Sequence, residues 1–187
     1  MGYIYLFTGE GAGKTTNALG LALRSLGHRH KVVIIQFMKW WKNTGEYKIQ
    51  KKLKPYYKVY QFGAPGWLKI DSKKKKTEKF GKTEFKTRKA EKIDRKYALN
   101  GLEKAGEIML KEKPNLLVLD EINLAVHSKL LTIKEVLDFL KKVTKKTTIV
   151  MTGRYAPKAL VKRADFVDVI NVIKHPKHIP AQKGIQY

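Results

Sequence analysis

The 187-residue chain contains no cysteine, which excludes disulfides, thiolate metal ligands and a cysteine nucleophile. It also lacks any apolar run approaching the roughly 18–20 residues that a bilayer-spanning helix needs. Its first residues do not show the basic, apolar and small-residue order of a secretion signal. A soluble, cytoplasmic protein is expected. Acids are scarce, with 16 Asp and Glu against 40 Lys and Arg, a net charge of +24. Such a field favours nucleic acid, anionic membrane surfaces and small phosphorylated substrates alike. Arginine is scarce as well, at six residues, and guanidinium is the better group for bidentate phosphate and base recognition. The excess therefore also reads as a solvated or thermally adapted lysine surface.

The chain does carry enough apolar residues, 43%, to build one domain with a sizeable core across 1–187. Residues 3–8 form an apolar run that ends in a glycine cluster. Ala18, Leu19, Ala22, Leu23 and Leu26 then recur at helical spacing up to Gly27, and Val32–Phe37 reads as a second strand. Between 38 and about 96 the pattern is irregular, first aromatic and then lysine-rich. Within it only Lys58–Phe62 looks strand-like, and 72–96 reads as a mobile loop merging into a helix that is convincing from Tyr97 to Pro114. Further strands are predicted over 115–120, 147–152 and 166–172, with helices over 133–143 and 157–163, and the tail from Lys174 reads as an ordered loop or extension. Alternating strands and helices predict a doubly wound, mostly parallel α/β sheet with helices on both faces.

The strongest local signal is the loop Gly9-Glu10-Gly11-Ala12-Gly13-Lys14-Thr15, followed by Thr16. Backbone amides exposed by glycines and followed by a helix N-terminus make a cradle for phosphate. Lys14 adds charge, and Thr15 offers a hydroxyl to a phosphate-bound Mg²⁺. Thr8 stands where the usual P-loop pattern has its first glycine, so the loop is a variant. Asp120 and Glu121 end an apolar strand where the acid opposite a P-loop holds magnesium, although such a pair can also cap a helix. Arg154, after the next strand, belongs at the same crevice unless it is a plain surface arginine. Arg24 in the first helix points either inward or to solvent. Trp40, Trp41 and Trp67 make either a satellite hydrophobic cluster or a platform for a large flat ligand. The five histidines show no metal-ligand spacing.

Taken in order, these motifs resemble the ATP:corrinoid adenosyltransferase family of the CobA or BtuR type. The match runs through Thr8–Thr16, Leu23–His28, Ile35-Gln36-Phe37-Met38-Lys39, Thr44-Gly45-Glu46, Val118–Asn123, Met151–Pro157, Val172–Pro176 and Ala181–Tyr187. The resemblance implies a RecA-like P-loop NTPase fold put to another use, transfer of the 5′-deoxyadenosyl group of ATP to a corrinoid in the Co(I) state, with release of triphosphate. It implies that Gly9, Glu10, Gly11, Ala12, Gly13, Lys14, Thr15 and Thr16 bind ATP with Arg24 and Glu121, and that Thr15, Asp120 and Glu121 engage Mg²⁺. Lys14, Thr15 and Arg154 would be the catalytic set. Gln36, Met38, Lys39 and Trp67 would line the corrinoid side. A homodimer is implied, with a reductase or flavin as electron donor. Where the family usually reads Gly-Asn-Gly-Lys-Gly-Lys, Glu10 and Ala12 here remove one cation and add one anion, and Pro65 stands where a phenylalanine is usual. The competing expectation is a P-loop ATPase or nucleic-acid-binding module, disfavoured because no nucleic-acid module appears in the chain.

Overall fold

The computed structural model describes residues 2–68, 77–80, 83–144, 146–176 and 182–185. The lysine run 73–76 and residues 181, 186 and 187 of the C-terminal motif lie outside them. Six parallel strands form the main sheet: β1 (Ile4–Thr8), β2 (Val32–Phe37), β3 (Tyr57–Phe62), β7 (Leu116–Asp120), β8 (Thr148–Thr152) and β9 (Phe166–Val169). Their order is β3-β2-β7-β8-β1-β9, and every pairing between them is parallel. A smaller sheet holds β4 (Trp67–Leu68), β5 (Thr77–Phe80) and β6 (Thr83–Arg88).

The central strands β2, β7 and β8 read as apolar runs because both faces are covered, whereas β9 at the sheet edge is exposed along its length. Successive side chains alternate across β7: Leu116 and Val118 pack towards α1 (Lys14–Gly27) through Ala18 and Ala22. Leu117 and Leu119 face the other cluster, built from α3 (Lys92–Lys111), α4 (Ile122–His127), α5 (Ile133–Lys142) and α6 (Lys158–Arg163). A short α2 (Gly45–Ile49) precedes β3. The expected doubly wound α/β sheet is therefore the observed one. In such a sheet the carboxyl ends of strands, here those of β1, β2, β7 and β8, open onto one crevice.

Three sequence expectations need correction. The long helix starts at Lys92, not Tyr97, because Glu91 and Asp94 form a capping box there, and Asp94 accepts from the Glu91 amide at 2.8 Å. Strands β5 and β6 pair antiparallel across part of the stretch read as a loop. The last strand ends at Val169 rather than Val172, because the next residue turns its carbonyl to the glycine loop after β1, accepting from the Gly11 amide at 2.7 Å.

Candidate active site

Between β1 and α1 the chain must turn sharply while pressed against the end of β9. Gly9 (φ 99°) and Gly13 (φ 102°) take the left-handed conformation that glycine tolerates. A Cβ on Gly9 or Gly11 would lie 2.4 or 2.7 Å from the Ile170 carbonyl oxygen, so the loop is held where only glycine fits. Lys14 is 7% exposed, and its ammonium donates to the carbonyls of Gly9 and Gly11, curling under the loop at the helix entrance. Burial, and next the Arg154 guanidinium, hold its pKa below the ordinary lysine value, while Glu121 and Glu10 oppose that shift.

Opposite the loop, the Asp120 carboxylate is fully buried and saturated with donors. Thr15 Oγ1 (2.8 Å) and Thr152 Oγ1 (2.7 Å) donate to Oδ1; Gln36 Nε2 (3.1 Å) and Lys39 Nζ (2.7 Å) donate to Oδ2. Burial pushes the Asp120 pKa up, but Lys39, Thr152 and Thr15 outweigh it and keep the carboxyl below its ordinary value. Glu121 follows in the left-handed conformation (φ 65°), its amide donating to Thr152 Oγ1 at 2.9 Å. This unusual backbone geometry turns its side chain into the cavity, where Oε2 is buried and has no hydrogen-bond partner among the described residues. Burial and then the neighbouring Asp120 carboxylate push the Glu121 pKa up.

These residues border a cavity of about 390 Å³. Its lining brings Glu10–Thr16, Glu121 and Arg154 together with Met38, Lys39, Trp67, Leu68 and Thr87. The sequence-predicted phosphate and corrinoid residues thus converge, with exceptions. Gly9 shapes the loop but is not on the cavity wall. Gln36 lies fully buried behind it, donating to Glu46 (3.2 Å) as well as to Asp120, and accepting from Gln61 (3.0 Å). Arg24 is exposed on α1, away from the wall. Asp120 lies beneath the wall, reaching the cavity through Thr15 and Lys39.

Two contributing residues, Arg88 and Tyr155, were not singled out from the sequence. Arg88 donates to the Pro65 carbonyl at 2.9 Å and grips Asp94 with two bonds of 2.6 and 2.7 Å, tying the Trp67 segment to the start of α3. Hidden in a lysine-rich stretch, it could not be told from a solvated arginine. Tyr155 also lines the cavity and packs on His127 at 4.3 Å between centroids, a pairing that no spacing rule anticipates.

The donor set fits a hard, phosphate-bound cation. It offers a hydroxyl, a buried carboxylate beneath it, and a second carboxylate whose inner oxygen lacks a partner. No cluster of three or more His, Cys, Asp or Glu occurs among the described residues, so such a cation would take most of its ligands from nucleotide and water.

A structure of flagellar accessory protein FlaH from Methanocaldococcus jannaschii superposes with a TM-score of 0.54 over 89% of this chain and 70% of that one; at 16% identity the likeness shows the fold alone. A corrinoid adenosyltransferase from a Sinorhizobium species is 32% identical over 193 residues, spanning all of this chain and 80% of the relative. Corrinoid adenosyltransferase CobA of Salmonella typhimurium is 30% identical over 189 residues, again spanning all of this chain and 86% of the relative. The family model for ATP:corrinoid adenosyltransferase BtuR/CobO/CobP matches residues 1–187. On a match that covers the whole chain, the protein belongs to the ATP:corrinoid adenosyltransferase family.

Proposed function

We propose that the cavity holds ATP with its triphosphate on the Gly9–Thr15 loop and presents C5′ of the nucleoside to a corrinoid reduced to Co(I). The carrying observation is that one cavity joins the glycine loop, Glu121 and Arg154 to Met38, Lys39 and Trp67. In the reaction the cobalt lone pair forms the Co–C5′ bond and the C5′–O bond breaks. The electron pair departs with triphosphate, and cobalt ends as Co(III). Negative charge grows on the ester oxygen as that bond lengthens, so donors fixed along the triphosphate favour the transition state over the ground state. The loop amides and Arg154 are such donors. Lys14 becomes one when its ammonium shifts from the carbonyls of Gly9 and Gly11 to phosphate.

Thr15 and Glu121, backed by Asp120, would hold Mg²⁺, which supplies charge neutralisation on the triphosphate. Lys39, anchored on Asp120, spans the nucleotide and corrinoid sides. Trp67 and Met38 offer the apolar wall that a corrin face requires and keep water from the reduced metal. Family membership also supports a cytoplasmic homodimer drawing its electron from a reductase or flavin. No helix among the described residues is long and apolar enough to cross a membrane. The test is anaerobic incubation of the protein with ATP, Mg²⁺ and a chemically reduced corrinoid. A light-sensitive alkylcobalt spectrum is expected, and a corrinoid spectrum unchanged by ATP would overturn the reading.

A further inference from the structure

The phosphate loop carries its own anion. Glu10 Oε2 lies 3.4 Å from Arg154 Nη1, and Arg154 Nη2 donates to the Glu10 backbone carbonyl at 3.3 Å. Both side chains line the cavity, so the guanidinium available to the triphosphate is already engaged by a residue of the loop that cradles it. The contact is long and exposed, with the arginine side chain at 40% and the glutamate at 57%. Ion pairs of this kind are weak, which suits a contact that must open in every turnover. A triphosphate, with its far larger charge, takes the arginine from one carboxylate. Once the product leaves, the carboxylate takes it back.

We propose that Glu10 is a positioning residue that acts through Arg154: it parks the guanidinium over the empty loop and competes with triphosphate for it, lowering the loop's grip on the leaving group so that product is released. The inference rests on the reading of this cavity as the triphosphate site. An enzyme that stabilises a departing triphosphate risks holding it afterwards, and a built-in competitor relieves that risk at some loss of ATP affinity. Ala12 acts in the same direction by leaving no cation at its position in the loop.

The experiment measures binding of inorganic triphosphate and of ATP with Mg²⁺ by calorimetry for four forms: wild type, Glu10→Gln, Arg154→Gln and the double variant. Because both side chains are exposed, all four should fold, which a thermal melt verifies. Glu10→Gln is expected to tighten triphosphate binding by about two- to five-fold, the range of an exposed ion pair. It should lower the KM for ATP, lower the Ki for triphosphate and leave the corrinoid KM unmoved. In the Arg154→Gln background the gain should shrink. An equal gain in both backgrounds would mean that the carboxylate repels phosphate directly, and no gain in either would mean that it does nothing; each overturns the proposal. Failure of the wild type to bind triphosphate or ATP at all would instead overturn the functional reading beneath it.

Discussion

The ammonium of Lys39 stands 2.7 Å from the buried carboxylate of Asp120 and is the only cationic donor to it among the described residues. Thr15, Thr152 and Gln36 complete the shell, so one carboxylate fixes the start of α1, the ends of β2 and β8 and the segment after β2. Lys39→Met retains the apolar stem and removes the charge. The loss is expected to cost about 2–4 kcal/mol, because the buried carboxylate keeps only neutral donors. Chemical denaturation of the nucleotide-free protein measures it.

The same pair sets a pH dependence. Burial opposes the shift, but Asp120 raises the Lys39 pKa above its ordinary 10.5, so this stabilisation is complete below that value and fades as pH climbs through the folded pKa. Asp120 is held below its ordinary 3.8, so its share is present above that value and fades as pH falls through the folded pKa. Lys39→Met should flatten the alkaline limb of a stability–pH curve. A wild-type and variant difference that does not change at high pH would contradict the pairing.

Glu121 is expected to trade stability for function. Its buried carboxyl lacks a partner on Oε2, and burial and Asp120 raise its pKa. An acid whose pKa is raised on folding loses stability as pH rises from the unfolded value through the folded one, and carries the full penalty above it. Glu121→Gln should therefore stabilise the nucleotide-free protein at neutral pH by about 1 kcal/mol while weakening the dependence of ATP binding on Mg²⁺. Melting curves and Mg²⁺ titrations of ATP binding separate the two effects. A variant that is destabilised and keeps its full Mg²⁺ dependence would refute the assignment.

Arg88 is expected to matter for the corrinoid more than for ATP. Arg88→Ala removes the clamp between Pro65 and Asp94 and should cost about 2–3 kcal/mol, since Asp94 is buried. It should raise the corrinoid KM while leaving ATP affinity near wild type, because Trp67 pairs through Thr87 to the Arg88 strand whereas the phosphate loop does not. Equal effects on both substrates would point to general unfolding.

The placement of the glycine loop, the acidic pair and Arg154 around one cavity was legible in the sequence because its determinants are local. Glycines precede a lysine at a helix start, an apolar strand ends in acid, and an arginine follows the next strand. The start of α3 was hidden because its cap is made by Glu91 and Asp94 within a run of charges that reads as solvated. Gln36 shared a motif with Met38 and Lys39, yet it lies inside the fully buried β2, where it joins a hydrogen-bond network, while Met38 and Lys39 lie past the strand's end, where Met38 takes the left-handed conformation (φ 57°), and both reach the cavity. The roles of Arg88 and Tyr155 depend on partners distant in the chain, Pro65 for one and His127 for the other, and no spacing encodes such contacts.

The claim that the Gly9–Thr15 loop holds a leaving group, not a phosphoryl group in transfer, is tested most directly by phosphorus NMR of the anaerobic reaction. One intact inorganic triphosphate should appear for each cobalt–carbon bond formed, and Lys14→Ala should abolish both together while keeping a folded far-UV spectrum. Formation of ADP and orthophosphate in place of triphosphate, or undiminished turnover in Lys14→Ala, would contradict it.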